Sequence, residues 1–307
     1  MNGQQPLIFA VKGNALDDGP GIRSVVFFKG CPLSCTWCHN PESKRREVEI
    51  SYDAQVCIGC DTCLAICPEQ ALNRANANFI DRSTCNLCFQ CAEACPAGAL
   101  SRVGELMTAD EVLAALLKDK PFYDASGGGV TLSGGEATLF TEYLAQLLRK
   151  LKAAGVHTLL ETCGLFNMKR FKEAIYPWLD LIYFDVKLMD AGAHIEFCGT
   201  SNQVILQNFA ALAERAQQGG VPILPRIPLI PGVTATEQNL RATADFLIKC
   251  HAPQVALLPY HPTWQEKERK LGITETNGKS TALGAWLDDE TLADSKSIFV
   301  EVGIEIV

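Results

Sequence analysis

The sequence has 307 residues, 48% of them hydrophobic, and a formal net charge of -8 at pH 7. An acidic chain without a long basic run is a poor match for nucleic acid or an anionic membrane surface as its main partner. The first residues show no basic stretch followed by an apolar one, and no apolar run reaches the roughly 18 residues that a membrane span needs, so we expect a cytoplasmic protein.

Hydrophobic runs of strand length alternate with amphipathic stretches of helix length along most of the chain. Strands are predicted at residues 22–30, 129–135, 157–164, 181–187, 221–230, 254–261 and 298–307. Helices are predicted between them, for example at residues 141–155 and 239–253. This alternation predicts an α/β fold with a mostly parallel sheet and right-handed crossovers. Both a curled partial barrel and an open doubly wound sheet fit the pattern.

Three cysteines, Cys31, Cys35 and Cys38, follow the first predicted strand, and nothing nearby supplies a fourth ligand of the same kind. Three thiolates can hold three irons of a 4Fe-4S cluster and leave the fourth iron for an exogenous ligand, as the open position of a catalytic zinc site does. The spacing C-x3-C-x2-C therefore indicates a catalytic cluster with a free corner.

Two later runs repeat the spacing C-x2-C-x2-C-x3-C-P of bacterial ferredoxins, in which the fourth cysteine of each run binds the other cluster. We therefore predict two accessory 4Fe-4S clusters; the first takes Cys57, Cys60, Cys63 and Cys95, and the second takes Cys67, Cys85, Cys88 and Cys91. Two zinc sites are the alternative. Zinc knuckles, however, usually contain two C-x2-C pairs or include histidine among their ligands.

The two runs repeat after 28 residues, as "AICPEQAL" and "EACPAGAL" show. We predict that residues 50–103 form a small inserted domain held by its clusters, because so short a segment cannot rely on a hydrophobic core. Residues 1–49 and 104–307 would form the larger domain. The other three cysteines, Cys163, Cys198 and Cys250, are predicted to be small buried hydrophobic residues. Residues 270–297 suggest only a surface loop and a final helix before the last strand.

Polar and glycine-rich stretches follow the predicted strands at their carboxyl ends, where function is expected in folds of this class. The cysteine triad follows the first strand, and the later ones are followed or ended by Ser133–Glu136, Glu161–Gly164, Asp185–Lys187, Arg226 and His261. Each stretch alone is weak evidence, since a glycine pair is usually a turn and a single histidine is usually structural. Their repeated position predicts one shared site.

The triad spacing resembles that of the radical S-adenosylmethionine superfamily. Three stretches narrow the resemblance: "DDGPGIRSVVFFKGCPLSCTWCHNPES" (17–43), "SGGGVTLSGGEATL" (126–139) and "LLPYH" (257–261). Together with the eight-cysteine insertion, they resemble the glycyl radical enzyme activating enzymes. Within that group the chain is similar to extended members that activate dehydratases, lyases and decarboxylases, and it is related to the pyruvate formate-lyase activator, which lacks the insertion. The resemblance implies a partial (β/α)6 barrel with an inserted ferredoxin-like two-cluster domain.

The resemblance also implies residue roles. Cys31, Cys35 and Cys38 would hold the catalytic cluster, whose fourth iron binds S-adenosylmethionine. The residues expected around that cofactor are Trp37, Cys38, His39, Gly134, Gly135, Glu136, Asp185, Val186, Lys187, Arg226 and His261. The family also holds a monovalent cation beside the cofactor, which would fall to Glu161, Thr162 and Asp185 here. Glu161 stands where aspartate is more usual.

The reaction implied is an anaerobic one-electron cleavage of S-adenosylmethionine, whose 5'-deoxyadenosyl radical removes an α-hydrogen from a glycine of a partner glycyl radical enzyme. Flavodoxin or ferredoxin would supply the electron, and the two accessory clusters would carry it inward. One alternative is a radical enzyme acting on a small molecule, which would share the triad and the barrel but need no partner protein. The other is a pure electron-transfer protein, which would have no use for an open cluster.

Overall fold

A computed structural model describes residues 5–273 and 281–307 of the chain. The strands are β1 (Leu7–Ala15), β2 (Arg23–Phe28), β3 (Glu49–Tyr52), β4 (Leu100–Val103), β5 (Glu105–Leu106), β6 (Gly129–Gly134), β7 (His157–Thr162), β8 (Leu181–Asp185), β9 (Ile223–Leu229), β10 (Gln254–Pro259) and β11 (Glu305–Ile306). The helices are α1 (Thr62–Ile66), α2 (Gln90–Glu93), α3 (Ala109–Leu116), α4 (Lys120–Ser126), α5 (Thr141–Ala153), α6 (Met168–Ala174), α7 (Ala191–Cys198), α8 (Gln203–Gln217), α9 (Glu237–Lys249), α10 (Trp264–Lys270) and α11 (Asp289–Glu301).

Within the described residues, nine strands form one mixed sheet in the order β11-β10-β9-β8-β7-β6-β2-β1-β5. The strands from β2 to β11 in this order run parallel, whereas β1 and β5 are antiparallel to their neighbours. In the centre of the sheet Val26 of β2 lies opposite Leu132 of β6, which lies opposite Leu160 of β7. All three side chains are fully buried. A parallel sheet covered on both faces needs such unbroken apolar runs.

The first six predicted strands are confirmed as β2 and β6 to β10, with ends shifted by up to two residues. Two of the predicted helices are confirmed as α5 and α9. Helix α5 buries the stripe Leu144, Leu147, Leu148 and Leu151, the spacing of one helical face, and ends just before Gly155 in the left-handed conformation. Strand β1 was not predicted, because its outer half is exposed and polar.

The predicted strand at 298–307 is wrong for most of its length, since helix α11 continues to Glu301 and only Glu305–Ile306 is extended. These adjacent apolar residues belong to a helix in which Ser295, Ile298 and Phe299 are buried and Val300 is exposed. The final helix expected before the last strand is confirmed, whereas residues 274–280 of the predicted loop lie outside the described residues.

Residues 50–103 contain α1, α2 and most of a separate two-stranded sheet in which β3 pairs with β4. A second cluster of buried residues lies here, apart from the main core, and includes Ile50, Leu72, Phe79, Phe89 and Leu100. Buried Lys29 at the end of β2 pairs with Glu49 of β3 at 2.7 Å, so the segment is anchored beside the cysteine triad.

No helix in the described parts of the chain is long and apolar enough to cross a membrane.

Candidate active site

The cysteine triad lies on a loop that follows β2 and is held by main-chain hydrogen bonds. The Ser34 amide donates to the Cys198 carbonyl at 2.9 Å, and the Thr36 amide donates to the Phe197 carbonyl at 3.0 Å. At the start of the loop the Gly30 amide donates to the Ser43 carbonyl at 2.7 Å. The C-terminal end of α7 therefore fixes the middle of the loop, between the first and last cysteines.

A cavity of about 550 Å³ opens at the carboxyl ends of the parallel strands, a size typical of cofactor sites. It brings together most of the predicted residues, namely Cys31, Cys35, Trp37, Cys38, His39, Gly134, Gly135, Glu161, Thr162, Asp185, Lys187, Arg226 and His261. Its wall also includes Asp17, Asp18, Ser133, Cys163 and Tyr260, which were not among the residues expected around the cofactor or the cation. The "DDGPGIR" stretch that contains the two aspartates was the available signal.

Two predicted residues, Glu136 and Val186, do not line this cavity. Val186 is buried in the main core. Fully buried Glu136 accepts hydrogen bonds from the Thr162 hydroxyl at 2.9 Å and from the Cys163 amide at 2.8 Å. Its carboxylate thus supports the end of β7 from behind the cavity wall.

Arg226 joins two strand ends through its guanidinium, which lies 2.5 Å from Glu161 Oε1 and 3.2 Å from Asp185 Oδ1. The sequence suggested that Arg226 ends its strand. The residue instead lies inside β9, because the strand continues to Leu229. Burial alone would lower the pKa of Arg226, but Glu161 and Asp185 outweigh burial and raise it. Ser133 donates to the second oxygen of Glu161 at 2.5 Å.

Lys187 completes this charged network, with its ammonium 2.9 Å from Asp185 Oδ2. Burial opposes the charged form of Lys187, yet the Asp185 carboxylate raises the pKa of Lys187 above its ordinary value. Burial likewise opposes the ionised form of Asp185, and the charges of Lys187 and Arg226 lower its pKa in spite of that. The cavity wall therefore carries fixed charges of both signs.

The predicted monovalent cation site remains a prediction. Glu161 and Asp185 face Arg226, and Thr162 donates to Glu136. In residues 5–273 and 281–307, no three histidine, cysteine, aspartate or glutamate side chains are arranged to hold a single metal ion. The cysteines of a 4Fe-4S cluster bind different irons and do not converge on one such point.

An aromatic array borders the cavity on the side of β10. The rings of His39 and His261 lie 4.3 Å apart, and Tyr260 lies 5.8 Å from His39. Burial, followed by the nearby His261 and Lys267, lowers the pKa of His39 to about 4. His39 is therefore a neutral, flat surface at physiological pH, and its buried Nε2 has no hydrogen-bond partner in the described structure.

The glycine pair at the end of β6 is required by the packing of the chain itself. Gly134 has φ +99, and a Cβ atom at Gly135 would lie 2.2 Å from the Gly30 carbonyl oxygen. The ends of β2 and β6 can approach this closely only without side chains. This close approach brings the start of the cysteine loop against the end of β6.

The isolated cysteines Cys163, Cys198 and Cys250 are buried, as predicted. Two of them also lie beside the triad, Cys163 beside Cys31 and Cys198 beside Cys35. The neighbouring Cys198 thiol is the largest influence on Cys35 and lowers the pKa of that thiol. A lower thiol pKa favours the thiolate that binds metals. Sequence spacing gave no sign of these contacts.

The eight cysteines of the two ferredoxin-like runs line two smaller cavities. Cys57, Cys60, Cys63 and Cys95 line one of them, which we call the outer group. Cys67, Cys85, Cys88 and Cys91 line the other, which we call the inner group. The fourth cysteine of each run thus lies with the first three of the other run. Ile50, Leu72 and Phe89 border the inner group, and Tyr52 and Leu100 border the outer group. The chemistry of both groups fits iron-sulfur clusters, with thiol ligands in apolar surroundings.

Two family models match the cysteine-rich part of the chain. A 4Fe-4S dicluster domain matches residues 49–96, and a 4Fe-4S single cluster domain matches residues 17–65. The fold is similar to that of a radical SAM methyltransferase from Sphaerobacter thermophilus, with a TM-score of 0.52 and 13% identity, over 99% of this chain and 76% of that one. The similarity shows a mixed α/β fold with a large, mostly parallel sheet.

Characterised relatives extend over most of the chain. The isethionate sulfite-lyase activating enzyme of Nitratidesulfovibrio vulgaris is 40% identical over 96% of this chain and 95% of its own length. The trans-4-hydroxy-L-proline dehydratase activating enzyme of Clostridioides difficile is 39% identical over 87% of this chain and 88% of its own length. The indoleacetate decarboxylase activating enzyme of Tractidigestivibacter scatoligenes is 37% identical over 87% of each chain. Similarity of this extent shows that the chain belongs to the glycyl radical enzyme activating enzymes, which depend on iron-sulfur clusters and S-adenosylmethionine.

Proposed function

We propose that Cys31, Cys35 and Cys38 hold three irons of the catalytic 4Fe-4S cluster and that S-adenosylmethionine fills the adjoining cavity. One observation carries this proposal. The three thiols, the glycine edge of β6 and a network of fixed charges line the same cavity of about 550 Å³. When bound together, the reduced cluster and S-adenosylmethionine supply the carbon radical that removes an α-hydrogen from a glycine of the partner enzyme.

The residues of the chain orient the cofactor in this proposal. Lys187 and Arg226 present positive charge to the methionine carboxylate, and Asp185 limits their motion through its ion pairs. Gly134 and Gly135 offer main-chain groups to the methionine amino group. The flat rings of His39 and His261 border the adenosine. Glu136 and Val186 act from behind the wall by holding the ends of β7 and β8 in place.

The monovalent cation belongs to the same proposal. Glu161, Thr162 and Asp185 line the cavity together. Carboxylate and hydroxyl oxygens are ligands suited to hard cations. A cation here would compete with the Arg226 guanidinium for Glu161 and Asp185, so we expect the two to share these oxygens.

We further propose that the outer and inner groups each hold a 4Fe-4S cluster, which brings the number of clusters to three. They would carry electrons from a flavodoxin or a ferredoxin to the catalytic cluster. The crossed sets of cysteines around the two small cavities support this assignment. Cys57→Ala and Cys85→Ala should each slow cofactor cleavage with a protein donor, and unchanged rates in folded variants would contradict a relay.

The partner is proposed to be a glycyl radical enzyme of the dehydratase, lyase or decarboxylase kind, because the relatives bear the names of such enzymes. The test is an electron paramagnetic resonance (EPR) spectrum of the anaerobically reconstituted, reduced protein with S-adenosylmethionine and a glycyl radical enzyme from the same organism. A glycine radical doublet with matching 5'-deoxyadenosine is expected. If 5'-deoxyadenosine forms but no candidate glycyl radical enzyme gives a doublet, the result would instead favour a small-molecule substrate.

A pair of variants makes this test specific to the triad. Cys35→Ala removes a proposed iron ligand, whereas Cys250→Ala removes a buried cysteine that lines neither the large cavity nor the two smaller ones. We expect the first variant to lose cofactor cleavage and the second to retain it. Equal activity in the two variants would overturn the assignment of the triad.

A further inference from the structure

We propose that helix α10 and Arg82 are positioning elements that fix the inner group beside the catalytic cysteine loop, so that it lies between that loop and the outer group. The inference rests on the proposed function, since it concerns the cluster sites assigned there. The two accessory sites would thus lie at different distances from the catalytic loop, and α10 and Arg82 would maintain this order.

The first step of the argument is the contact between α10 and the catalytic loop. The ammonium of Lys267 donates to the His39 carbonyl at 2.8 Å and lies 3.6 Å from Glu42 Oε1. Lys44 lies 3.1 Å from Glu268 Oε1 on the same helix. One face of α10 is therefore attached to the chain immediately after Cys38.

The same helix contacts the cysteine-rich segment at its other end. The guanidinium of Arg82 donates to the Lys270 carbonyl at 3.3 Å and to the Ile50 carbonyl at 2.8 Å. Arg82 precedes Cys85 by three residues, and Ile50 and Cys85 line the inner cavity together. Lys270 also pairs with Asp53 at 2.7 Å, just after β3. Helix α10 thus connects the catalytic loop to the wall of the inner group.

A second connection reaches the same wall by another route. Lys29, two residues before Cys31, pairs with Glu49 at 2.7 Å and donates to the Glu42 carbonyl at 2.5 Å. Glu49 adjoins Ile50 of the inner cavity, whereas Tyr52, farther along β3, lines the outer cavity. The Lys270–Asp53 pair lies next to Tyr52 of the outer cavity, whereas the contacts of Arg82 and Glu49 both lie at Ile50 of the inner cavity. These latter two contacts place the inner group nearer to the catalytic loop.

The position of Arg82 depends on a glycine after α10. Gly272 has φ +64, and a Cβ atom there would lie 2.4 Å from Arg82 Nε. Any larger residue would push the guanidinium away from the helix end. Arg82 is also a half-buried cation without an ion-pair partner in the described parts of the chain. A positive charge beside an anionic cluster favours its reduced form.

The test compares Arg82→Met with Arg74→Met in the anaerobically reconstituted full-length protein. Arg74 is the matched control, because it lies beside the outer group and pairs with exposed Asp61 rather than with α10. An EPR-monitored redox titration without S-adenosylmethionine should show a lower midpoint potential for one accessory cluster in Arg82→Met and for the other accessory cluster in Arg74→Met, because each arginine lies beside a different group. A shift of the same cluster in both variants would overturn the inference.

The second readout is 5'-deoxyadenosine formation with two reductants. With reduced flavodoxin, Arg82→Met should be slower than the unmodified protein by about tenfold, whereas dithionite, which can reach the catalytic cluster directly, should give similar rates. Equal slowing with both reductants would contradict the inference, because it would place the defect at the catalytic site. An unmodified protein inactive with both reductants would refute the proposed function, and the titration would still decide the role of Arg82.

A second pair of variants covers the case in which Arg82→Met fails to fold. Gly272→Ala displaces Arg82 without removing its charge, and Gly232→Ala is its control, since Gly232 has φ +70 and nothing within 4 Å of an added Cβ atom. We expect the altered potential and the flavodoxin-specific slowing in the first variant alone. The same behaviour in both variants would contradict the role of α10.

Discussion

The Ser34 amide donates a hydrogen bond to the Cys198 carbonyl at 2.9 Å, and this bond joins the catalytic cysteine loop to the end of helix α7. Gly199 follows directly in the left-handed conformation, with φ +83. A Cβ atom at Gly199 would lie 2.1 Å from Ser34 Oγ. A side chain at residue 199 would therefore collide with the Ser34 hydroxyl in its present position.

Gly199→Ala should displace the cysteine loop and lower the iron content of the reconstituted protein. The matched control is Gly219→Ala, which has the same φ of +83 but nothing within 4 Å of the added Cβ. Both variants incur the left-handed strain of about 1–2 kcal/mol, so any difference between them reports the contact with Ser34. Iron and sulfide analysis after anaerobic reconstitution measures it, and equal iron content in the two variants would contradict the prediction.

Arg226→Met should strongly destabilise the folded protein, because it leaves the carboxylates of Glu161 and Asp185 without their shared cation. Breaking a buried pair by removing one partner costs about 3–5 kcal/mol. Arg241→Met is the control, since Arg241 pairs with Glu237 and Glu301 on the exposed surface, where solvent screens ion pairs, and the stability of this variant should change much less. Anaerobic denaturant titration compares the two, and similar midpoints would count against a structural role for the Arg226 network.

Much of the fold follows from local patterns in the sequence. The fully buried strands β6 and β7 appear as unbroken apolar runs, and the leucine stripe of α5 has one-face spacing. The end of the chain was mispredicted because Ile298, Phe299 and Val300 are adjacent apolar residues, and only tertiary packing decides that the first two face the core and the third faces solvent. Strand β1 was missed because its outer half is exposed and polar.

The candidate site was predictable where spacing carries the chemistry. The cysteine triad and the two ferredoxin-like runs have fixed intervals, and the structure groups these cysteines around three cavities. The supporting contacts were not predictable, because they join distant parts of the chain. The Cys198 thiol lies beside the Cys35 thiol, and Glu136 accepts a hydrogen bond from Thr162 behind the wall of the large cavity. Neither pair belongs to one sequence motif.

Cys198→Ala should lower the midpoint potential of the catalytic cluster. The Cys198 thiol lies beside the Cys35 thiol, where it can donate a hydrogen bond to the sulfur that Cys35 gives to the cluster, and such hydrogen bonds favour the reduced state. Cys250→Ala is the control, because that buried thiol lines none of the three cavities. A redox titration of the catalytic cluster without S-adenosylmethionine measures the shift. An unchanged potential in Cys198→Ala, with full iron content, would show that the thiol does not act on the cluster.

Stability should decrease toward acidic pH through His157 at the start of β7. Burial is the largest cause that lowers the pKa of His157. The charge of Arg23 lowers it further, since Arg23 Nη2 lies 3.4 Å from His157 Nδ1. Asp180 raises the pKa and Lys152 lowers it. The folded pKa is therefore below the unfolded value of about 6.5. Between these two values the unfolded chain binds more protons than the folded one, so unfolding becomes easier as pH falls.

His157→Gln removes this titration and keeps a polar side chain at the position. The thermal unfolding midpoint of the unmodified protein should fall more steeply than that of the variant as pH is lowered from about 7.5 to about 5.5, because only the unmodified chain gains the extra proton on unfolding. Above about pH 7 the two proteins should respond to pH in parallel, since His157 is neutral in both states there. Parallel responses over the whole range would show that burial and the charge of Arg23 do not lower the pKa of His157 in the folded protein.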